Sequence, residues 1–146
     1  MKMMKNWGWI VVAVLLISVL GWYQLGGAKP KLICHYNNEE IEQICTYRLQ
    51  EDSLIKSPLK INGRARGNWF FEASFPIQIL DQNDQVLAQA LGIAQGDWMT
   101  EDLVPFTAEI KFEMPLGDTG KLVLKKDNPS GLPDNDDSFI IPVRFR

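Results

Sequence analysis

From Pro105 to Met114 the chain reads PFTAEIKFEM, in which Phe106, Ala108, Ile110, Phe112 and Met114 alternate with Thr107, Glu109, Lys111 and Glu113. Successive side chains of a strand point to opposite faces, so a strict period of two makes a ribbon with one apolar and one polar side. The apolar side must be covered by a second sheet. FEASFPIQIL repeats the pattern: Phe71, Ala73, Phe75, Ile77 and Ile79 share a face, which puts Phe71 inside and Phe70 outside. Near the C-terminus Phe139, Ile141, Val143 and Phe145 alternate with Ile140, Pro142, Arg144 and Arg146. Pro142 has no N–H for a ladder, which predicts a sheet edge or a bulge. QVLAQALGIA is apolar on both faces and KLVL is short; both read as central strands.

The punctuation fits antiparallel pairing. DQND at Asp81–Asp84 and LGDTG at Leu116–Gly120 are short turn-forming stretches that read as hairpin connections. The longer links AQGDWMTEDLVP and KKDNPSGLPDNDDS read as crossings between sheets. Six or seven strands with no long helix after Ser57 predict an all-β fold, an immunoglobulin-like antiparallel β-sandwich over residues 57–146.

Residues 1–28 form a separate unit. Lys2 and Lys5 precede an apolar run from Ile10 to Leu20, bracketed by Trp7 and Trp9 on one side and Trp22 and Tyr23 on the other. Counted from Trp7 to Tyr23 the run reaches the lower limit of a spanning helix, and amphipathic rings at both ends suit the two membrane interfaces. Gly26 and Ala28 also fit a signal-peptide cleavage site before Lys29. The expectation is a single-pass transmembrane anchor with everything after it outside the cell membrane; a cleaved signal and secretion is the alternative. Residues 29–56 read as a cysteine-bearing linker. Ile41, Ile44, Cys45 and Leu49 recur at helical spacing, whereas Cys45, Tyr47 and Leu49 alternate as in a strand, so both structures stay open.

Export decides how the two cysteines read. Cys34 and Cys45 are expected as a disulfide, since oxidising compartments favour pairing. A metal or nucleophile site built from Cys34 and the adjacent His35 lacks further partners, because His35 is the only histidine. No cofactor or metal is expected. From position 29 onward thirteen basic face eighteen acidic residues, without a basic stripe, which excludes nucleic-acid binding by phosphate neutralisation.

Three stretches, NGRARGNWFFEASFPIQILD, AQGDWMTEDLVPFTAEIKFEMP and GKLVLKKDNPSGLPDNDDSFIIPVRF, carry a resemblance. Through Gly67–Phe70, Gln95–Met99 and Lys126–Gly131 the chain resembles the bacterial spore-germination immunoglobulin-like domain, over about residues 57–146. The resemblance implies a non-catalytic module of the bacterial envelope, often membrane-tethered, of unsettled ligand.

Several residues qualify as candidate sites. Trp69, Phe70 and Trp98 are aromatic candidates for contact with a cell-wall glycan or an envelope protein. Arg64 and Arg66 are candidates for an anionic wall polymer, although pairing with Glu72 or Asp97 is the plainer reading. Asp97, Glu101 and Asp102 beside Trp98, together with Glu72, suggest the alternative of an envelope hydrolase with a carboxylate pair. Ser130 has no base within its own segment. Asp127, Asp134, Asp136 and Asp137, with Asn128 and Asn135, offer oxygen for calcium, but their spacing is not that of an EF-hand. Pro129, Gly131 and Pro133 favour a loop of fixed shape instead. The expectation is a binding or scaffolding module without catalysis.

Overall fold

A computed structural model describes residues 31–145, so the expected membrane or signal helix lies outside the described residues. The strands are β1 (Leu32–Tyr36), β2 (Glu42–Tyr47), β3 (Ser53–Leu54), β4 (Leu59–Arg66), β5 (Ser74–Asp81), β6 (Val86–Ala94), β7 (Leu103–Ile110), β8 (Thr119–Lys125) and β9 (Ser138–Arg144). They form one ladder in the order β1-β2-β4-β7-β6-β5-β8-β9-β3, antiparallel except where the two-residue β3 runs parallel to β9. The ladder curls into two facing layers, and its seam is the short pairing of β6 with β7 at Ile93↔Thr107 and Ala94↔Phe106. Across the interior Phe75 of β5 meets Phe106 of β7 edge-on, with centroids 4.8 Å apart. The geometry adds about 1 kcal/mol to the burial of both rings.

The period-two pattern predicts most of this core. Phe106 and Ile110 of β7, Phe75, Ile77 and Ile79 of β5, and Phe139, Ile141 and Val143 of β9 are all buried, whereas Met114, expected on the same face as Phe106, is 44% exposed. Pro142 sits next to the sheet edge: its carbonyl accepts from Asp52 N at 2.9 Å, so its nitrogen also faces the two-residue β3. The bond it cannot donate would go to the shortest strand of the ladder.

One phase is inverted. Phe70 is buried and Phe71 is 43% exposed, the reverse of the expected arrangement. Glu72 and Ala73 both adopt positive φ, 49° and 61°, in a two-residue turn closed by Phe71 N→Ser74 O and Ser74 N→Phe71 O. Such turns ordinarily carry Asn-Gly or Asp-Gly. Glu-Ala gives no sequence signal, so the alternation reads through a turn that resets it.

Two connection types also differ from expectation. LGDTG is not a hairpin turn: β7 and β8 are not neighbours, and residues 111–118 cross between layers. KKDNPSGLPDNDDS is not a crossing, because β8 and β9 pair from Thr119↔Arg144 to Lys125↔Ser138, making it a wide hairpin loop. Likewise AQGDWMTEDLVP joins strands that pair at the seam. The expected linker at 29–56 supplies β1 and β2, a hairpin continuing onto β4 through Cys45↔Arg64, together with β3.

This topology sorts the loops to two ends of the sandwich. Residues 37–41, 67–73, 95–102 and 126–137 gather at one end. Residue 31 and the segments 48–58, 81–85 and 111–118 gather at the other.

Candidate functional site

The three motif stretches come together at the first end, and the contacts show what their residues are for. Gly67 opens a single 3-10 turn, Gly67–Trp69, that follows β4. Its N–H donates to Asp102 O at 3.2 Å, and a Cβ there would overlap the carbonyl oxygens of Trp98 and Thr100. The missing side chain is therefore what lets the 95–102 loop lie on this turn. The Trp69 carbonyl accepts from Asp127 N at 3.0 Å, which ties in the third stretch.

The aromatic candidates are largely used up by this packing. Trp69 is fully buried against the edge of Phe75, and Phe70 packs edge-on to the same ring at 5.3 Å. Trp98 is partly buried against the core, while the neighbouring Met99 is 77% exposed. Stacking on a sugar needs a bare ring face, which Trp69 and Phe70 do not offer.

The arginines pair differently from expectation. Neither Glu72 nor Asp97 is their partner. Arg64 Nε and Nη2 both reach Glu42 Oε1 at 2.9 Å, and Arg66 donates to the carbonyl oxygens of Glu42 at 2.8 Å and Glu101 at 2.6 Å. Arg66 thus fastens the β2 start and the 95–102 loop to β4. The candidate acid pair is spread over local turns: Asp97 Oδ1 caps Met99 N at 3.0 Å, Asp102 bonds Thr100, and Glu72 occupies the reset turn. These exposed carboxylates do not converge on a cleft.

The aspartates of the 126–137 loop do not act together. Asn128 Nδ2 bonds Asp136 Oδ1 at 2.7 Å and Leu132 O at 2.8 Å. Ser130 Oγ donates to Asn128 Oδ1 at 2.5 Å and receives Leu132 N and Asn135 Nδ2. Asp134 lies in the first turn of a 3-10 turn at Pro133–Asn135. Asp137 Oδ1 meets His35 Nε2 at 2.8 Å and also receives Ser138 N. Asp127, Asp134, Asp136 and Asp137 therefore form no common oxygen cage. Ser130 is a turn organiser.

His35 is the residue that sequence reasoning placed in a different segment altogether. Its ring stacks on Phe139 at 5.8 Å and meets the edge of Trp69 at 6.1 Å while holding Asp137. It closes the gap between β1, at one border of the sheet, and β9 near the other. A separation of 102 residues hides the pair from any local pattern. Cys34 and Cys45 are directly paired on β1 and β2 and disulfide-bonded, with Cα atoms 4.1 Å apart. Among the described residues the one cluster of three metal-type ligands is Cys34, Cys45 and Glu42, and its sulfurs are consumed in that bond.

A bare apolar surface lies elsewhere, on the outward face of β6. Leu91 is 53% exposed and Ile93 43%, flanked through register by Pro76 and Ser74 on β5 and Thr107 on β7. They line a shallow hollow of about 320 Å³ with Lys60, Asn62, Ala108 and Glu109. The signal was present in QVLAQALGIA, where apolar residues fill both faces, but it read as burial on both sides.

Comparison with known proteins adds one match: the family model described as the immunoglobulin-like domain of bacterial spore germination covers residues 50–131. No curated protein and no solved structure matches.

Proposed function

Taking as premise that the chain belongs to the immunoglobulin-like domain family of bacterial spore germination, we propose that it is a non-catalytic binding or scaffolding module of the bacterial envelope. In this reading it is held at the membrane by residues 1–28, carries its sandwich outside, and recognises another envelope protein. The observation that carries the reading is the outward face of β6. A central strand with Leu91 and Ile93 half exposed presents apolar area that the fold does not use. Covering the two side chains would contribute about 1 kcal/mol each. Aliphatic side chains in a shallow hollow suit an apolar protein surface better than a glycan, which needs an open aromatic platform and a dense set of polar partners.

The test is site-specific photo-crosslinking in intact envelopes, with the crosslinker at Ile93 and, as control, at Asn83 in the β5–β6 turn. One protein captured from Ile93 alone, and lost in Leu91→Asp, is the expected result. Capture of wall glycan, or equal capture from both positions, overturns the reading.

A further inference from the structure

The end of the sandwich opposite the motif loops carries apolar side chains that the core does not use. Leu116, in the 111–118 crossing, is 98% exposed. Leu54 on β3 is 50% exposed and Met114 44%. Hydrogen bonds and register place them at one end: Leu54 pairs with Arg144, Arg144 pairs with Thr119, and Phe145 N donates to Asp118 O at 2.9 Å. Gly117, next to Leu116, lies against Gln82 of the β5–β6 turn, which belongs to the same end.

The chain outside the described residues enters here as well. Lys31 precedes β1, where its carbonyl accepts from Arg48 N at 2.9 Å and its Nζ donates to Gln50. The apolar, aromatic-flanked stretch closes at Tyr23, nine residues before Leu32. Even fully extended, that tether spans only about 30 Å, comparable with the length of the sandwich along an eight-residue strand, about 27 Å. The end bearing Leu116 is therefore the one the tether brings to whatever holds Trp7–Tyr23. In the segments at this end Lys31, Arg48, Lys56 and Lys111 face Glu51, Asp52, Asp81, Asp84, Glu113 and Asp118, a slight acidic excess. No basic excess draws this end to an anionic partner, so its attraction is to an apolar medium.

We propose that this end docks on the lipid bilayer that holds residues 1–28, with Leu116 inserted at the headgroup boundary and Leu54 and Met114 beside it. The docking rests on the membrane-anchor reading above and adds an orientation to it: the motif end and its loops point away from the membrane. Its predominantly apolar character predicts weak dependence on salt.

The full chain is reconstituted into neutral phosphatidylcholine vesicles, some carrying brominated acyl chains. A polarity-sensitive fluorophore is attached to Leu116→Cys or, for comparison, to Met99→Cys; the native cysteines are bonded to each other and leave the new thiol as the labelling target. The expected result is a blue-shifted label at position 116, quenched several-fold more by brominated lipid than the label at 99, and unchanged in high salt. Adding Leu54→Asp and Met114→Asp should return it toward the aqueous signal while the protein still floats with the vesicles. Flotation with an equally aqueous label at both positions overturns the docking and leaves the anchor reading standing. Failure to float overturns both.

Discussion

Gly67→Ala is the substitution that most directly tests how the motif end is built. The added Cβ would overlap the carbonyl oxygens of Trp98 and Thr100 and lie 2.9 Å from the Thr100 carbonyl carbon. These are backbone atoms, held in a turn by Thr100 N→Trp98 O at 2.8 Å, so no side-chain rotation relieves the overlap. The 95–102 loop must lift. Lifting it breaks Gly67 N→Asp102 O, worth about 1 kcal/mol, and weakens the exposed bond from Arg66 to Glu101 O, which solvent discounts to a fraction of that. Overpacking against fixed atoms adds about 1–3 kcal/mol. The expected loss is therefore about 2–4 kcal/mol, a fall in Tm of roughly 10 °C for a domain of this size. Urea unfolding followed by far-UV circular dichroism measures it, with Gly96→Ala as the internal control. Gly96 lies in the same loop, has nothing within 4 Å of an added Cβ, and should change stability by less than about 0.5 kcal/mol. Equal effects of the two substitutions would refute the claim that Gly67 seats the loop.

Three further outcomes follow from other contacts. Replacing both Cys34 and Cys45 by Ala opens a loop closed across 11 positions and should cost about 3 kcal/mol in urea unfolding, whereas reductant should leave the double variant unaffected. A double-mutant cycle on His35→Ala and Asp137→Ala should give a coupling energy of about 1 kcal/mol or less, because both side chains keep nearly a third of their exposure. Calcium at millimolar concentration should leave Tm unchanged, since the aspartates of the 126–137 loop are divided among separate turns; a saturable rise would show that they converge on the ion.

Burial was legible wherever one strand kept its phase. In β7 and β9 the alternation assigns the inward face correctly from Phe106 to Ile110 and from Phe139 to Val143, but Met114, expected on the same face, lies past the end of β7 and is 44% exposed. It fails at Phe70 and Phe71 because a backbone reversal at Glu72 and Ala73 carries none of the residues that announce one. Strand partners were less legible for a different reason. Turn-forming residues mark where the chain bends, not which strand it meets next. LGDTG therefore reads as a hairpin although it joins β7 in one layer to β8 in the other, and a fourteen-residue polar stretch reads as a crossing although β8 and β9 pair along their whole length. The disulfide was accessible because a chain read as exported, with two cysteines in all, offers a single pairing. The His35–Asp137 contact was not, since only the curl of the whole sheet brings its two ends together.

The same distinction separates identity from recognition in this molecule. The residues that carry the family resemblance are occupied with one another: Gly67 receives the 95–102 loop, the Trp69 carbonyl holds Asp127, and Asn128 and Ser130 brace their own turn. Each would be required by any sequence that closes this end of the sandwich, whatever the protein binds. Leu91, Ile93 and Leu116 are in the opposite position. No core contact requires them to be apolar, and polar residues there would leave the strands and the crossing intact. The motif residues therefore transmit a fold and its rigidity, while in the proposed reading the choice of partner falls to side chains that the fold leaves free. Leu91→Asp and Leu116→Asp should accordingly keep the unfolding free energy within about 0.5 kcal/mol of the parent while abolishing, respectively, capture at β6 and contact with lipid. A large loss of stability in either variant would mean that the side chain belongs to the fold after all.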